Sequence, residues 1–352
     1  MDLNQRISTF SKLGQKLRHL LANENENGHV SVEERQRLDE IILKAKVKNA
    51  WFTENYVKKS LQEYALILTE SKLNDWLNAY SDQLRKVVKP KKVGVIMAGN
   101  IPLVGFHDML SVLLSGHFLH ARFSSDDNLL MQYIIDELVQ IEPKFKERIK
   151  IVQQLKDIEA VIATGSNNTS RYFEAYFGKY PHIIRKNRNA VAVFTGDESK
   201  EELQAFGKDI FDYYGLGCRN VSKAFIPENF ELDKLFEALQ GYASVMEHTK
   251  YMNNFDMHSA ILLMKKVPFL TNNFLIVKED QAIASPIAML HYERYSNIEE
   301  VQGQLEQEKE NIQCVVSNSE TIANPVALGA SQEPGLSDYA DGVDTLKFLQ
   351  EL

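Results

Sequence analysis

Cysteine is scarce in this chain: 352 residues carry two, Cys218 and Cys314. Two residues so far apart build no disulfide framework, and no Cys/His cluster has the spacing of a zinc site. An excess of positive charge is also missing. Lys and Arg number 40 against 48 Asp and Glu, a net charge of −8, which gives bulk charge no part in holding nucleic acid or an anionic membrane. No apolar run approaches the length of a membrane span. The opening Met1-Asp-Leu-Asn-Gln-Arg6 has no apolar core of a signal peptide. The Gly-x-Gly-x-x-Gly dinucleotide fingerprint is absent, as are internal repeats and low-complexity segments. The expected location is a reducing cytoplasm, where a cysteine outside any disulfide keeps its thiol.

What is present is an alternation. Residues 3–24 and 31–86 read as helices, parted by a polar break at Asn23–Gly28. Ser31-Val-Glu-Glu34 fits a capping box, and Leu38, Ile41, Ile42 and Ala45 share a face. From Lys91 the pattern changes. Val93–Ala98, Phe118–Phe123, Ile149–Val152, Ala160–Ala163, Ala190–Phe194, Lys223–Ile226, Ala260–Met264, Phe274–Val277 and Cys314–Val316 read as strands. Helices are expected over 104–115, 126–141, 169–177, 198–213 and 231–246, the last with Leu232, Leu235, Leu239 and Met246 on one face. This alternation makes the fold class α/β, with parallel sheets covered on both faces. The expected division is a helical lead-in (1–90), a first sheet domain (91–189), a second (190–317) and a tail (318–352). The polar Lys186–Asn189 marks the boundary, and the tail returns to the body or to a partner subunit.

The stretch Asp212-Tyr-Tyr-Gly-Leu-Gly-Cys-Arg-Asn-Val-Ser222 stands out. Gly215 and Gly217 suit a tight turn. With Arg219 beside it and Lys223 nearby, Cys218 would sit in an electropositive, accessible place that favours the reactive thiolate. The competing reading is a small residue buried at a helix end. Cys314, in an apolar strand without a basic neighbour, reads as core.

Two other turns, Ala98–Leu103 and Ala163–Ser170, join a strand to a helix. Such turns offer backbone N–H groups and a positive dipole end to a phosphate; on pattern alone, both read first as ordinary strand-to-helix turns with polar caps. Arg122, followed by Ser124 and Ser125, ends a strand where it could grip a ribose phosphate; the alternative is a surface arginine. His117 and His120 have no further ligands around them and read as structural or surface histidines, so no metal is expected.

Taken in order from about Lys91 to the C-terminus, these segments resemble the aldehyde dehydrogenase superfamily and, within it, the LuxC-type fatty acyl-CoA reductases. Val93–Leu103 is similar to the family's strand and Asn-x-Pro-Leu turn, which implies Asn100 as an oxyanion donor. Gly116–Ser125 resembles the adenosine-ribose strand, implying Arg122 (where a lysine is usual), Ser124 and Ser125 as cofactor contacts. Thr164-Gly165-Ser166 resembles the turn that meets the cofactor pyrophosphate, and Gly215-Leu-Gly-Cys218 the nucleophile loop. Ala327–Asp344 resembles the late glycine-rich segment. The resemblance implies two Rossmann-like domains and a homo-oligomer, with Leu346–Leu352 as a candidate contact. Two departures stand against the pattern. Ile184-Arg-Lys-Asn187 replaces the Glu-Leu-Gly-Gly whose glutamate activates water, and Ala282–Pro286 replaces the Glu-x-Phe-Gly-Pro that holds the nicotinamide ribose.

The resulting expectation is an NADPH-dependent reductase, with NADH as the other cofactor, that converts an acyl-CoA or acyl-carrier thioester to the aldehyde through an acyl-enzyme on Cys218. Arg122 is the reason for NADPH, and loss of the water-activating glutamate is the reason for a thiol as acyl partner. The alternatives are an NAD-dependent CoA-acylating aldehyde dehydrogenase, a non-catalytic relative that binds nucleotide or a partner, and a cysteine hydrolase, which needs a histidine partner.

Overall fold

The computed structural model describes residues 1–22, 30–80, 84 and 89–352. The expected polar break at 23–28 and part of the helical run to 86 lie outside these residues. The chain divides into two compact units, Met1–Lys186 with Gly335–Leu352, and Asn187–Pro334.

The first unit opens with α1 (Leu3–Leu21), α2 (Val32–Lys48), α3 (Glu54–Ile67) and α4 (Glu70–Asn78). The capping box at the start of α2 is formed: Glu34 N–H donates to Ser31 Oγ and Ser31 N–H to the Glu34 carboxylate. The run expected over 31–86 is interrupted twice, for local reasons. Asn49 turns its side chain onto Trp51 N–H, and Thr69 Oγ1 caps α4 by accepting from Lys72 N–H. Such side chains offer the backbone an alternative to the helix.

The sheet of this unit is built by β1 (Lys92–Ile96), α5 (Phe106–Leu114), β2 (Phe118–Arg122), α6 (Asn128–Ile141), β3 (Ile149–Ile151), β4 (Ala160–Thr164), α7 (Asn167–Phe177) and β5 (His182–Arg185). Its order is β3-β2-β1-β4-β5, with every pair parallel. The strands read as apolar runs because both faces are covered. The chain leaves β1 toward β2 on one side and reaches β4 on the other, so the winding reverses between β1 and β4. Ile96 pairs with Arg122 and with Ala163, which puts the ends of β1, β2 and β4 along one edge.

The second unit contains β6 (Asn189–Val193), α8 (Lys200–Phe211), β7 (Val221–Pro227), α9 (Leu232–Ala238), α10 (Thr249–Met264), β8 (Leu270–Thr271), β9 (Ile276–Glu279), β10 (Met289–Tyr295), α11 (Ile298–Gln307) and β11 (Ile312–Val316). The order is β11-β6-β7-β10-β9-β8, parallel except for the short β8. Ala260–Met264, expected as a strand, is the last turn of α10: Ile261 O accepts from Lys265 N–H, Leu262 is buried, and Ile261, Leu263 and Met264 are exposed. The helix expected over 231–246 is α-helical only to Ala238 and continues as a 3-10 helix over Leu239–Glu247, which includes the weak helix former Gly241. The helix expected to reach 213 stops at Phe211.

The segment from 318 is divided. Val326 N–H still bonds Val315 O inside the second unit, whereas Gly335–Leu352 returns to the first. There α12 (Thr345–Gln350) buries Leu346 and Leu349 in the core that also holds α5. Leu346 and Leu349 of the tail are thus used within its own unit.

Candidate active site

In the second unit the site begins where α8 ends. Tyr213, Tyr214 and Gly215 follow one another in left-handed conformation, with φ of 52°, 57° and 77°. For each tyrosine this costs about 1–2 kcal/mol, so something must hold the turn. Asn220, only 2% exposed, does so. Its Oδ1 accepts from Gly217 N–H at 2.8 Å, and its Nδ2 donates to Asp209 O at 3.1 Å and Asp212 O at 2.9 Å. Carbonyls at the C-terminal end of α8 that lack a helical donor thereby gain one. Cys218 lies in the span so closed, half-buried and in no disulfide.

The late glycine-rich segment meets this loop. Arg219 Nε donates to Ser331 O at 2.6 Å, and the buried Asp209 carboxylate accepts from Gly329 N–H at 2.6 Å and Ser331 N–H at 2.9 Å. Burial pushes the Asp209 carboxyl above its usual range, and those N–H groups oppose the shift. The sequence gives no sign of Asp209 or Asn220 as site residues, because their partners are set by the tertiary fold.

Lys223 does not supply the positive charge expected of it. Its side chain is 1% exposed, and its Nζ lies 2.6 Å from Glu293 Oε2 and 2.7 Å from Gln281 O. A buried ammonium must be compensated, and here it is. The contact with Gln281 O belongs to a wider clamp. His291 Nδ1–H donates to Ala282 O at 2.9 Å, and Ser222 Oγ donates to Ile283 O at 2.7 Å. The stretch that stands in place of the ribose-binding glutamate is therefore held by its backbone. The nearby Asp280 is engaged by Lys278, which lowers its pKa to about 2. A cavity of about 20 Å³, room for about one water, lies among Tyr214, Gly215, Asn220, Ser222 and Ser285. Cys314 on β11 is half-buried, not a core residue.

In the first unit the residues expected around a cofactor gather at the carboxyl edge of the sheet. Arg122 ends β2 with an exposed side chain, and its carbonyl accepts from Met97 N–H at 3.0 Å. Ser124 packs against Gly99 so closely that a Cβ there would lie 2.6 Å from Ser124 Oγ. Ser124 Oγ also accepts from Asp126 N–H, and Ser125 is exposed. Thr164 ends β4, Gly165 N–H reaches Arg185 O, and Ser166 caps α7 through Thr169 N–H. Residues 166–168 at that helix start are exposed. A crevice outside the strand ends, at the reversal of winding and beside a helix N-terminus, is where such sheets take a phosphate-bearing ligand. The donor set fits a dinucleotide.

Asn100 is exposed on the turn after β1. Ser60 Oγ donates to Pro102 O at 2.9 Å, Tyr64 OH to Leu103 O at 3.1 Å, and Leu103 N–H to Asp127 Oδ2 at 2.6 Å. Leu103 itself is left-handed, with φ of 59°. Asp127 is 2% exposed, and burial pushes its carboxyl well above its usual range. At Ile184–Asn187 no carboxylate appears. Arg185 is buried there, 2.6 Å from Asp108 Oδ2 and 3.1 Å from Thr345 Oγ1. His117 is structural: Nδ1 accepts from Lys91 N–H at 3.0 Å and Nε2–H donates to Leu349 O at 2.8 Å. Among the described residues no group of three or more His, Cys, Asp or Glu could hold a metal, and no helix is long and apolar enough to cross a membrane.

Comparison with known proteins gives the family and the fold. The model of the family described as acyl-CoA reductase (LuxC) matches residues 3–260. The match takes in the N-terminal helices, where the resemblance had been drawn only from Lys91. No curated protein matches the chain. Among solved structures, aldehyde dehydrogenase 21 from Physcomitrella patens, in complex with its reaction product succinate, is similar over 100% of this chain and 84% of its own, with 12% identity and a TM-score of 0.68. The NAD-dependent benzaldehyde dehydrogenase from Corynebacterium glutamicum is similar over 91% and 77%, with 12% identity and a TM-score of 0.64. An aldehyde dehydrogenase from Mycobacterium tuberculosis complexed with NAD+ is similar over 90% and 73%, with 11% identity and a TM-score of 0.61. These likenesses establish the aldehyde dehydrogenase-like α/β fold.

Proposed function

Since this chain belongs to the acyl-CoA reductase (LuxC) family, we propose that it reduces a fatty acyl-CoA to the aldehyde with NADPH, through an acyl thioester on Cys218. It is an oxidoreductase acting on thioester and aldehyde groups. In the proposed reaction the Cys218 thiolate attacks the thioester carbonyl carbon, forming the new C–S bond. The backbone N–H of Cys218 and the Asn100 amide take the oxyanion role, Asn100 on the strength of the family resemblance. The C–S bond to CoA then breaks, and CoA leaves as a thiolate. A nicotinamide held at Arg122, Ser124, Ser125 and Thr164–Ser166 would supply the hydride for reducing the acyl thioester. Hydride transfer leaves a thiohemiacetal oxyanion on Cys218, whose collapse breaks the C–S bond, releases the aldehyde and restores the Cys218 thiolate, while the CoA thiolate takes up the proton. Acyl-CoA, NADPH and one proton become aldehyde, CoA and NADP+.

The observation that carries this reading is the loop at Cys218, a half-buried thiol in a strained turn closed by one buried amide. The buried Arg185–Asp108 pair supports a thiol rather than water as acyl partner. The stretch at 184–187 carries no carboxylate to act as general base for hydrolysis, and the Asp108 carboxylate beside it is paired with Arg185. Arg122, Ser124, Ser125, Thr164, Gly165 and Ser166 are the residues proposed to hold the dinucleotide. Arg122 favours the phosphate of NADPH, because its guanidinium matches phosphate in a bidentate fashion. The NAD+ complex of the Mycobacterium tuberculosis protein supports a nicotinamide cofactor in general. The homo-oligomer implied by the resemblance stays in the reading.

The test follows oxidation of NADPH and of NADH with acyl-CoAs from acetyl to palmitoyl, on the native protein and on Cys218→Ala. Oxidation that needs the acyl-CoA and disappears in the variant is expected. Equal oxidation in the variant refutes the cysteine route, and a preference for NADH refutes the role given to Arg122.

A further inference from the structure

We propose that Asn220 is the positioning residue for Cys218: its buried amide fixes the backbone of the nucleophile loop, and so the place of the thiolate and of the Cys218 N–H. The inference rests on the reading of Cys218 as nucleophile. Asn220 follows the cysteine by two positions, yet its side chain points back to the end of α8. One amide holds both ends of the loop. The oxygen takes Gly217 N–H, immediately before the cysteine, at 2.8 Å. The nitrogen gives to Asp209 O and Asp212 O, with Ile210 O at 3.4 Å. The backbone adds its own closure, Asn220 N–H to Gly217 O at 3.1 Å.

No other side chain of this size does both jobs whatever the pH. The site needs one acceptor facing Gly217 N–H and donors facing carbonyl oxygens. An amide has both, whereas an ionised carboxylate has acceptors only. The turn also needs restraint, because Tyr213 and Tyr214 sit left-handed without the freedom of glycine. With the amide removed, the loop can relax toward ordinary backbone angles and carry Sγ away from its line of attack. The charged groups nearby are Asp209 and Asp212 on the α8 side and Arg219 on the loop, with Lys223 neutralised by Glu293 on the next strands.

The experiment compares Asn220→Ala and Asn220→Asp with the native protein and Cys218→Ala, in acyl-CoA-dependent NADPH oxidation and in iodoacetamide alkylation of Cys218 across pH. For Asn220→Ala, kcat should fall about a hundredfold, the effect of roughly 1 Å of misplacement, while KM for NADPH stays within about twofold. Asn220→Asp should be no better than alanine at alkaline pH, where its carboxyl is ionised and repels the carbonyls. As pH falls and that carboxyl protonates, it can again accept from Gly217 N–H and donate to Asp212 O. The activity ratio of Asn220→Asp to Asn220→Ala should therefore rise on acidification. Asp209, Asp212 and Arg219 are common to both variants and cancel in the ratio.

A merely structural role would lower stability without a pH-dependent ratio, so a flat ratio overturns the proposal, as does native kcat in Asn220→Ala. If the alanine variant is too unstable to assay, the ratio of Asn220→Asp to the native protein carries the same test. Should Cys218→Ala keep full activity, the nucleophile reading falls and this inference with it. If Cys218→Ala is inactive while Asn220→Ala is native-like, only this inference falls.

Discussion

Asp127 is the clearest place to test the physical account of the turn that carries Asn100. Its carboxyl is 2% exposed, accepts one short bond from Leu103 N–H, and has no partner for Oδ1 among the described residues. Burial raises its pKa well above the ordinary 3.8, and the Leu103 bond opposes the shift only in part. Replacing it by alanine leaves a buried N–H without an acceptor, at a cost of about 1–3 kcal/mol. Leu103 is left-handed and stores a further strain of about 1–2 kcal/mol, so the turn then has reason to relax and to take Asn100 with it. Asparagine keeps the acceptor and mimics a neutral carboxyl, so Asp127→Asn should cost less than about 1 kcal/mol. The pH dependence has a definite sign. Between 3.8 and the raised folded value the folded state holds a proton that the unfolded state has lost. The native protein therefore loses stability relative to Asp127→Asn as pH rises through that window. Urea unfolding of the native protein and both variants, from about pH 5 to 8, reads all of this. An asparagine variant as damaged as the alanine one, or a native-to-asparagine difference that does not grow in the asparagine variant's favour with rising pH, would refute the reasoning.

Other parts of the structure give equally direct tests. Arg185→Met leaves Asp108 buried without its partner and should cost about 3–5 kcal/mol in a thermal melt, with most of it recovered in the double variant Arg185→Met, Asp108→Leu. His117 is neutral in the fold, its pKa lowered first by burial, with Nδ1 already accepting from Lys91 N–H. The unfolded state takes a proton near 6.5 that the folded state refuses, so stability should fall as pH drops below that value, by at most about 1.4 kcal/mol per pH unit, and less steeply in His117→Gln. Gly329 has φ of 85°, and a Cβ there would lie 2.9 Å from Ala205 Cβ and from its carbonyl oxygen. Gly329→Ala should lower the melting temperature by more than about 1 kcal/mol of stability would and change the alkylation rate of Cys218, because the displaced segment bonds Arg219 and Asp209.

Much of this arrangement was legible in the sequence because it rests on local pattern. Val93–Ile96 and Ala160–Ala163 are apolar runs between turns, as a strand covered on both faces requires, and both are buried strands. The same rule failed at Ala260–Met264, since a short apolar run does not distinguish a strand from a helix end. It also passed over β10, whose Met289-Leu-His-Tyr-Glu-Arg-Tyr295 hides its role because His291 and Glu293 are matched to partners on other strands and loops. The chemistry divided likewise. Cys218 and Asn100 sit on turns with visible glycine or proline signals, and Arg122 ends a short apolar strand. Asp127, Asp209 and Asn220 act through backbone groups brought to them by the fold, and no spacing rule announces such partners. Lys223 shows the converse: near the cysteine in sequence, it is spent on Glu293.

The interrupted first unit has a consequence for how the chain comes into being. Its residues are made in two instalments, with 187–334 synthesised between them. The second unit is a single continuous stretch and has all its strands once residue 316 has emerged. The first unit still lacks Tyr339 for Trp76, Thr345 for Arg185 and Leu349 O for His117. Domains emerging from the ribosome ordinarily mature from the N-terminus onward. Here the part begun first is the part completed last, and through that interval the face of α5 that α12 will cover stands open.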